Sequence, residues 1–413
     1  MKAEIISVGD ELLAGIVVNS NASYIGKMLT ELGHEVRWIS TVGDDEIELT
    51  DALRRAYDRA SLVLLTGGLG PTHDDITKRV VSKFFDSELV FRKDVLTKVE
   101  EHFRKMGRKM AQINRDLAEV PEKAELIENE IGSAMGFVFT KEGRNFIVLP
   151  GVPSEMQRMM EKSVLPRFSN GGGERVLQSI VLRTAGILES DLYQKIRDFP
   201  ERFSNVRLSF LPRFSGVDIR LRVSGLSVEE CAGELRRSEA MIREKVGKFV
   251  YGKGDTSMES TVADLLLGKA LTVSVAEPCT GGLVSHKFTN VAGSSSYFNG
   301  GVVAYSNEAK IEILGVPEDT IQDHGAVSPE TAVAMAQGVR RIIGTDVGLS
   351  TTGIAGPGGG TPTKPVGLVY IGYFDGERSL AEKHRFMRER RWNKERSAIA
   401  ALDLLRRILL GVE

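Results

Sequence analysis

Twice in this sequence a short apolar run ends abruptly in a cluster of glycines. Leu62–Thr66 runs into Gly67-Gly68-Leu69-Gly70-Pro71-Thr72-His73-Asp74-Asp75, and Leu271–Ala276 runs into Glu277-Pro278-Cys279-Thr280-Gly281-Gly282 ahead of a helical pattern over Leu283–Thr289. Short apolar runs bounded by turn residues read as strands, and glycine supplies the turn at their ends. A helix N-terminus next in line aims free N–H groups at an anion or a developing oxyanion. Strands alternating with helices build a mostly parallel sheet covered on both faces, so the fold class is α/β. Ligands of such sheets bind at the carboxyl ends of strands, beside the glycine turns.

Residues 1–168 follow this alternation. Strands are expected over Ala3–Val8, Glu35–Val42 and Leu62–Thr66, with helices over Asn21–Leu32, stopped by Gly33, and over Glu46–Ala60. Two carboxylate pairs emerge at the strand ends, Asp10 with Glu11 and Asp74 with Asp75. Neighbouring carboxylates there suit a hard divalent cation with positions left for phosphate, and Gly67, Gly68 and Gly70 let a phosphate approach the backbone. Asp74 and Asp75 equally suit capping of the helix that starts near Ile76. One of them can cap while the other binds. His73 reads as a surface hydrogen-bonder.

Ser169–Gly173 forms a joint. Residues 169–254 then read as a small α+β domain, with strands at Val176–Thr184, Val206–Pro212 and Val217–Ser224 and helices at Leu188–Arg197 and Ser227–Val246. Arg213, Arg220 and Arg222 fit the wet face of a half-solvated sheet better than a nucleic-acid surface. Residues 255–413 form the last domain. It has a helix over Ser260–Lys269, another opened by Ser328-Pro329-Glu330, a strand at Val366–Tyr373 and an arginine-rich segment, Arg385–Arg407. Ile399, Leu402, Leu405 and Leu409 give that segment one packing face.

This last domain carries a possible nucleophile. Ser295, Tyr305 and Lys310 are spaced closely enough for one strand and turn to gather them. A serine needs a base beside it, a buried lysine can act as one, and a tyrosine can relay the proton. A serine-rich turn before a strand, with a solvated lysine, accounts for the same residues. Cys279 reads as core filler rather than as a nucleophile.

The formal net charge of −2 argues against a general nucleic-acid binder. Two distant cysteines, Cys231 and Cys279, argue against a disulfide framework. No apolar run reaches the ~20 residues needed to span a bilayer, and Met1-Lys2-Ala3-Glu4 enters a strand without a leader pattern. The expected setting is the cytoplasm, with no membrane partner.

Three groups of motifs carry a resemblance. SVGDELLxGxxxNxN, TGGLGPTxDD and LPGVPSEM resemble the N-terminal domain of the CinA family, whose fold is shared with the molybdopterin-binding MoaB/MogA group. The middle pattern is similar to the KH-type domain of that family. AExCTGG, AGSSxxF, GxVxYSNEAK, HGAVSxE, TGIAGPxGG and KPVG resemble the PncC/CinA C-terminal family.

The resemblance implies two hydrolytic activities and a homodimer. The first domain would cleave ADP-ribose with a divalent metal (Mg, Mn or Co), using Asp10, Glu11, Asp74 and Asp75 as metal ligands. Asn19, Asn21, Gly67, Gly68 and Gly70 would line its site, and Glu155 would cap the next helix or reach the ligand. The last domain would deamidate nicotinamide mononucleotide without a cofactor, with Ser295 as nucleophile and Tyr305 and Lys310 activating it. Cys279, Thr280, Gly281, Gly282, Thr352, Gly353 and Gly356 would hold substrate there, and Arg390 would face its phosphate. The chain departs from the family in placing Pro278 where serine is usual, and Arg388-Glu389-Arg390 where Gly-Asp-Arg is usual. Two other readings stay open: a pterin phosphate held without hydrolysis, and a non-catalytic nucleotide sensor or adaptor linked to competence or DNA damage.

Overall fold

The computed structural model describes residues 1–168, 176–213, 216–386 and 389–412. These form two compact units, Met1–Gln178 with Val223–Ala232, and Ser179–Arg222 with Gly233–Glu413. The joint expected at Ser169–Gly173 lies outside the described residues, as does Arg388.

In the first unit, β1 (Lys2–Val8), β2 (Glu35–Val42) and β3 (Leu62–Thr66) are the expected strands. A ribbon of β4 (Leu89–Phe91) and β5 (Glu119–Pro121) follows, then β6 (Glu125–Ile127), β7 (Gly136–Lys141) and β8 (Arg144–Leu149). The main sheet has the order β2-β1-β3-β8-β7-β6. β1, β2, β3 and β8 run parallel, while β7 and β6 turn back antiparallel. The sheet is covered on both faces. Leu49, Leu53, Val80 and Val81 pack with Ile6, Val63 and Leu65 on one side, and Ile25, Leu29, Met156 and Met160 with Ile5, Leu62 and Leu64 on the other. Full burial on both faces explains why β1 and β3 read as continuous apolar runs.

The middle sheet has the order β10-β11-β9-β12, from β9 (Val176–Thr184), β10 (Val206–Pro212), β11 (Val217–Leu226) and β12 (Val250–Lys253). Ile219, Leu221 and Val223 of β11 are buried, and Arg220 and Arg222 alternate with them on the wetter face. Arg213 pairs with the buried Asp218, which also holds Arg183. Arg213 itself is exposed, and its guanidinium is committed to that ion pair.

The last sheet has the order β14-β13-β15-β16-β17. It consists of β13 (Val273–Ala276), β14 (Phe298–Val302), β15 (Val347–Gly353), β16 (Leu368–Phe374) and β17 (Ser379–Arg385). β14, β13 and β15 are parallel, and β16 and β17 antiparallel. Val262 and Leu266 of the helix Met258–Gly268, with Leu402, Leu405 and Leu409 of the helix Arg390–Leu410, cover one face. Met335 and Val339 of the helix Pro329–Ile343 cover the other. Ser328 caps that helix as expected, accepting from Thr331 N–H. No helix among the described residues is long and apolar enough to cross a membrane.

Candidate functional sites

At the carboxyl ends of β1, β2 and β3 lies a cavity of about 300 Å³. The turn after β3 forms its floor. Gly67 has φ +111°, and a Cβ there would stand 2.2 Å from Val8 O, so only glycine lets this turn lie against β1. Gly68, Asn19, Asn21, Glu11, Asp74 and Asp75 line the same space. Asn19 also caps the helix Ser20–Glu31, accepting from Ala22 N–H at 3.0 Å. Asn21 is buried and donates from Nδ2 to Thr66 Oγ1 and Gly151 O, while its Oδ1 has no partner. An orphaned buried acceptor in a cavity wall asks for a donor or a cation from a ligand.

Four expected residues behave otherwise. Neither Asp74 nor Asp75 caps the following helix, Thr77–Phe84, which has no side-chain cap. Asp75 turns its carboxylate back on its own loop, accepting from Gly70 N–H, Thr72 N–H and the Thr72 hydroxyl. Glu155 accepts from Asn129 Nδ2 at 2.7 Å and stays out of the cavity lining. Asp10 also stays out of it. Its carboxylate accepts from Asp44 N–H while Asp44 accepts from Asp10 N–H, both at 3.1 Å.

Asp44 is the residue that sequence reasoning missed, although it follows β2 at the same edge as the two expected pairs. It lines the cavity, and burial pushes its carboxyl above the ordinary value. Donation from Asp10 N–H opposes that shift, and the Asp10, Glu11 and Asp74 carboxylates add to it. A carboxylate raised by burial beside other carboxylates favours a bound cation. The described residues hold no ready group of three or more His, Cys, Asp or Glu side chains for a metal ion. The donor set fits a Mg-type ion bound through one or two carboxylates, with substrate phosphates and water completing its shell. One or two of Glu11, Asp44 and Asp74 would hold it.

The second cavity, about 180 Å³, opens at the carboxyl ends of β13, β14 and β15. Pro278 and Cys279 enter it from the turn after β13, Tyr305 and Lys310 from the segment after β14, and Thr352 and Gly353 from β15. Arg390 closes it, with Nη1 donating to Gly356 O at 2.8 Å. Asn307, Ala326 and Val327 also line it. Sequence reasoning missed them, although they sit inside the YSNEAK and HGAVSxE motifs, the signal that could have found them.

Lys310 is 3% exposed, and its Nζ donates to Tyr305 O at 3.0 Å and Ser306 O at 3.1 Å. Burial pushes its pKa down, which suits a base. Thr352 is committed, its hydroxyl donating to Ala326 O at 2.5 Å. The Cys279 thiol is pushed up to about 11 by burial, against the pull of Arg390 and Lys394, and remains protonated packing.

Thr280, Gly281 and Gly282 do not line the cavity. They shape its turn, and the residue that fixes the turn is Glu277, 1% exposed. Glu277 accepts from the Thr280 and Ser285 hydroxyls and from the Val284 and Ser285 N–H groups, at 2.6–2.8 Å. It therefore caps the helix Leu283–Thr289 from outside.

Ser295 is not gathered with Tyr305 and Lys310. β13 and β14 run parallel with Val273 opposite Phe298 and Ala276 opposite Val302. Ser295 is exposed in the turn before β14, at the amino end of the sheet, whereas Tyr305 and Lys310 follow its carboxyl end. At about 3.3 Å per residue, β14 alone sets them roughly 13 Å apart or more. The sequence spacing allowed a strand and a turn between them, and the strand itself does the separating.

Family models match three consecutive stretches: a probable molybdopterin binding domain over residues 4–170, the damage-inducible protein CinA KH domain over 179–252, and the CinA C-terminal domain over 255–409. A CinA-like protein of Salinibacter ruber is 44% identical over 412 residues, covering 99% of this chain and 100% of that protein. The chain belongs to the CinA family. A second CinA-like protein, from Kosmotoga olearia, is 43% identical over 413 residues, covering 99% of each chain. The solved CinA of Thermoplasma acidophilum, described as of unknown function, is 35% identical. It covers 41% of this chain and 97% of its own, with a TM-score of 0.37. Family membership accounts for the multidomain α/β architecture, with a MoaB/MogA-type first domain and a KH-type second.

Proposed function

We propose that this CinA-family chain processes pyridine nucleotides at two separate sites in the cytoplasm. Its last domain deamidates nicotinamide mononucleotide to nicotinate mononucleotide and ammonia. The first domain hydrolyses ADP-ribose to AMP and ribose 5-phosphate with a divalent metal (Mg, Mn or Co). The observation that carries the amidase reading is the buried Lys310 opening on a cavity closed by Arg390, which pairs a base with a cation suited to a nucleotide phosphate. In the first domain, Gly67 and Gly68 would admit the diphosphate. One or two of Glu11, Asp44 and Asp74 would hold the metal, which would supply charge neutralisation there.

One observation favours a second reading, a binding module in place of the amidase. Among the described residues, the cavity lining includes Pro278 and no serine. The test is ammonia release from nicotinamide mononucleotide by the full chain, alongside AMP release from ADP-ribose. Turnover of both supports the proposal. Binding of the mononucleotide by calorimetry with no ammonia formed establishes the binding module. Asp74→Asn is expected to cut AMP release by an order of magnitude or more, with ammonia release unchanged. Equal loss of both activities would overturn the separation of the sites.

A further inference from the structure

The cavity of the first unit has a lining of two kinds. Glu11, Asp44 and Asp74, with the Gly67-Gly68 turn, suit a metal and a phosphate. Leu12, Val17, Val18 and Pro153 line the same space with hydrocarbon. Val17 is 49% exposed and Val18 86%. Ile16 beside them is also exposed but takes no part in the lining.

The backbone holds these valines out of the core. The Ile16 and Val17 N–H groups both donate to Glu11 O, at 3.0 and 3.2 Å, and Ser20 N–H donates to Val18 O at 2.7 Å. Gly15, at φ +70°, makes the bend that brings the segment back onto Glu11. Asn19 then caps the helix Ser20–Glu31. Pinned on either side, the segment presents two consecutive apolar side chains to the cavity. A single exposed valine is ordinary on any surface. A pair set in the wall of a cavity that is otherwise acidic and glycine-rich is a place for the apolar part of a ligand.

We propose that Val17 and Val18 form the subsite for the flat face of a nucleobase, while the carboxylate and glycine side of the cavity takes the diphosphate. The proposal rests on the nucleotide reading of the first domain and deepens it by giving the substrate a direction. A nucleotide carries both kinds of surface, phosphate and flat ring. A sugar phosphate carries only the first. The AMP half of ADP-ribose therefore lies against the valines, and the ribose 5-phosphate half does not.

The test measures binding, so it stands apart from turnover. Full-length protein is titrated calorimetrically with AMP and with ribose 5-phosphate, each in the presence of magnesium. The double variant Val17→Ser, Val18→Ser should bind AMP about tenfold more weakly, having lost the hydrocarbon that the base covers. Val18→Trp, on a side chain that packs against little of the fold, should bind AMP roughly fivefold more tightly or better, since a base stacks well on an aromatic ring. Both variants should bind ribose 5-phosphate as wild type does, and Ile16→Ser should bind both ligands as wild type does. An unchanged AMP affinity in both valine variants overturns the subsite. So does an equal change for ribose 5-phosphate, a loss of AMP binding in Ile16→Ser, or a wild type that binds AMP no more tightly than ribose 5-phosphate. AMP shifts as expected in a chain that never cleaves ADP-ribose keep the base subsite and remove the pyrophosphatase. Cleavage of ADP-ribose without those shifts keeps the pyrophosphatase and removes the subsite.

Discussion

Replacing Glu277 with alanine is expected to destabilise the last domain by about 2–4 kcal/mol, since buried donors left without a partner cost about 1–3 kcal/mol each. The carboxylate is 1% exposed and takes four hydrogen bonds, two from backbone N–H groups at the start of the helix Leu283–Thr289 and two from hydroxyls. A smaller side chain leaves those donors facing a void too dry to solvate them. The Thr280 hydroxyl keeps its contact with Thr351 at 2.8 Å, so the cost falls on the Val284 and Ser285 N–H groups and the Ser285 hydroxyl. Glu277→Gln preserves volume and one carbonyl oxygen but points an NH2 group at existing donors, and should recover less than half of the loss. Urea unfolding followed at the last domain measures both variants. A Glu277→Ala midpoint within error of wild type would refute the account.

The same residue shows where sequence and structure part company. Strand, turn and helix at 271–289 were legible because apolar run, glycines and amphipathic spacing agree there. β2 and β3 were read to the residue for the same reason. Glu277 was not legible as a cap, because it caps a helix starting six residues later, across a turn whose path depends on Gly281 at φ +62° and Gly282 at φ +89°. Asp75 was misread for a related reason. An acid just before a helix suits capping by composition, and only the loop path decides that its oxygens reach Gly70 and Thr72 instead. The ribbon of β4 and β5 and the antiparallel return of β6 and β7 gave no long periodic signal, their strands being as short as three residues.

Ser295 is the sharpest case. Ten residues separate it from Tyr305 in sequence, and a helix or a hairpin over that distance would have joined them. An extended strand carries them to opposite ends of the sheet. The type of element between two residues, more than their separation, decides whether they meet within one chain.

Lys310→Ala is expected to lower ammonia release by about 10²–10⁴-fold, the usual worth of a positioned general base. Two of the three donor positions on this ammonium are taken by Tyr305 O and Ser306 O, so the charge is fixed at the cavity wall. Those bonds also hold the entry to the helix Asn307–Glu312, and a drop in activity alone would not separate base from brace. The pH profile does. A lysine base works in its neutral form, and burial lowers its pKa below the ordinary 10.5, with Glu308 pulling weakly the other way. The rate should rise about tenfold per pH unit on the acid side and level off as pH passes the folded pKa of Lys310. Lys310→Arg keeps a cation and donors for both carbonyls but cannot give up its proton at any pH the protein survives. It should retain the fold and the affinity for nicotinamide mononucleotide, yet show neither the rate nor the rising limb. A Lys310→Arg enzyme with the wild-type pH profile would move the base elsewhere and leave Lys310 as the brace for Tyr305.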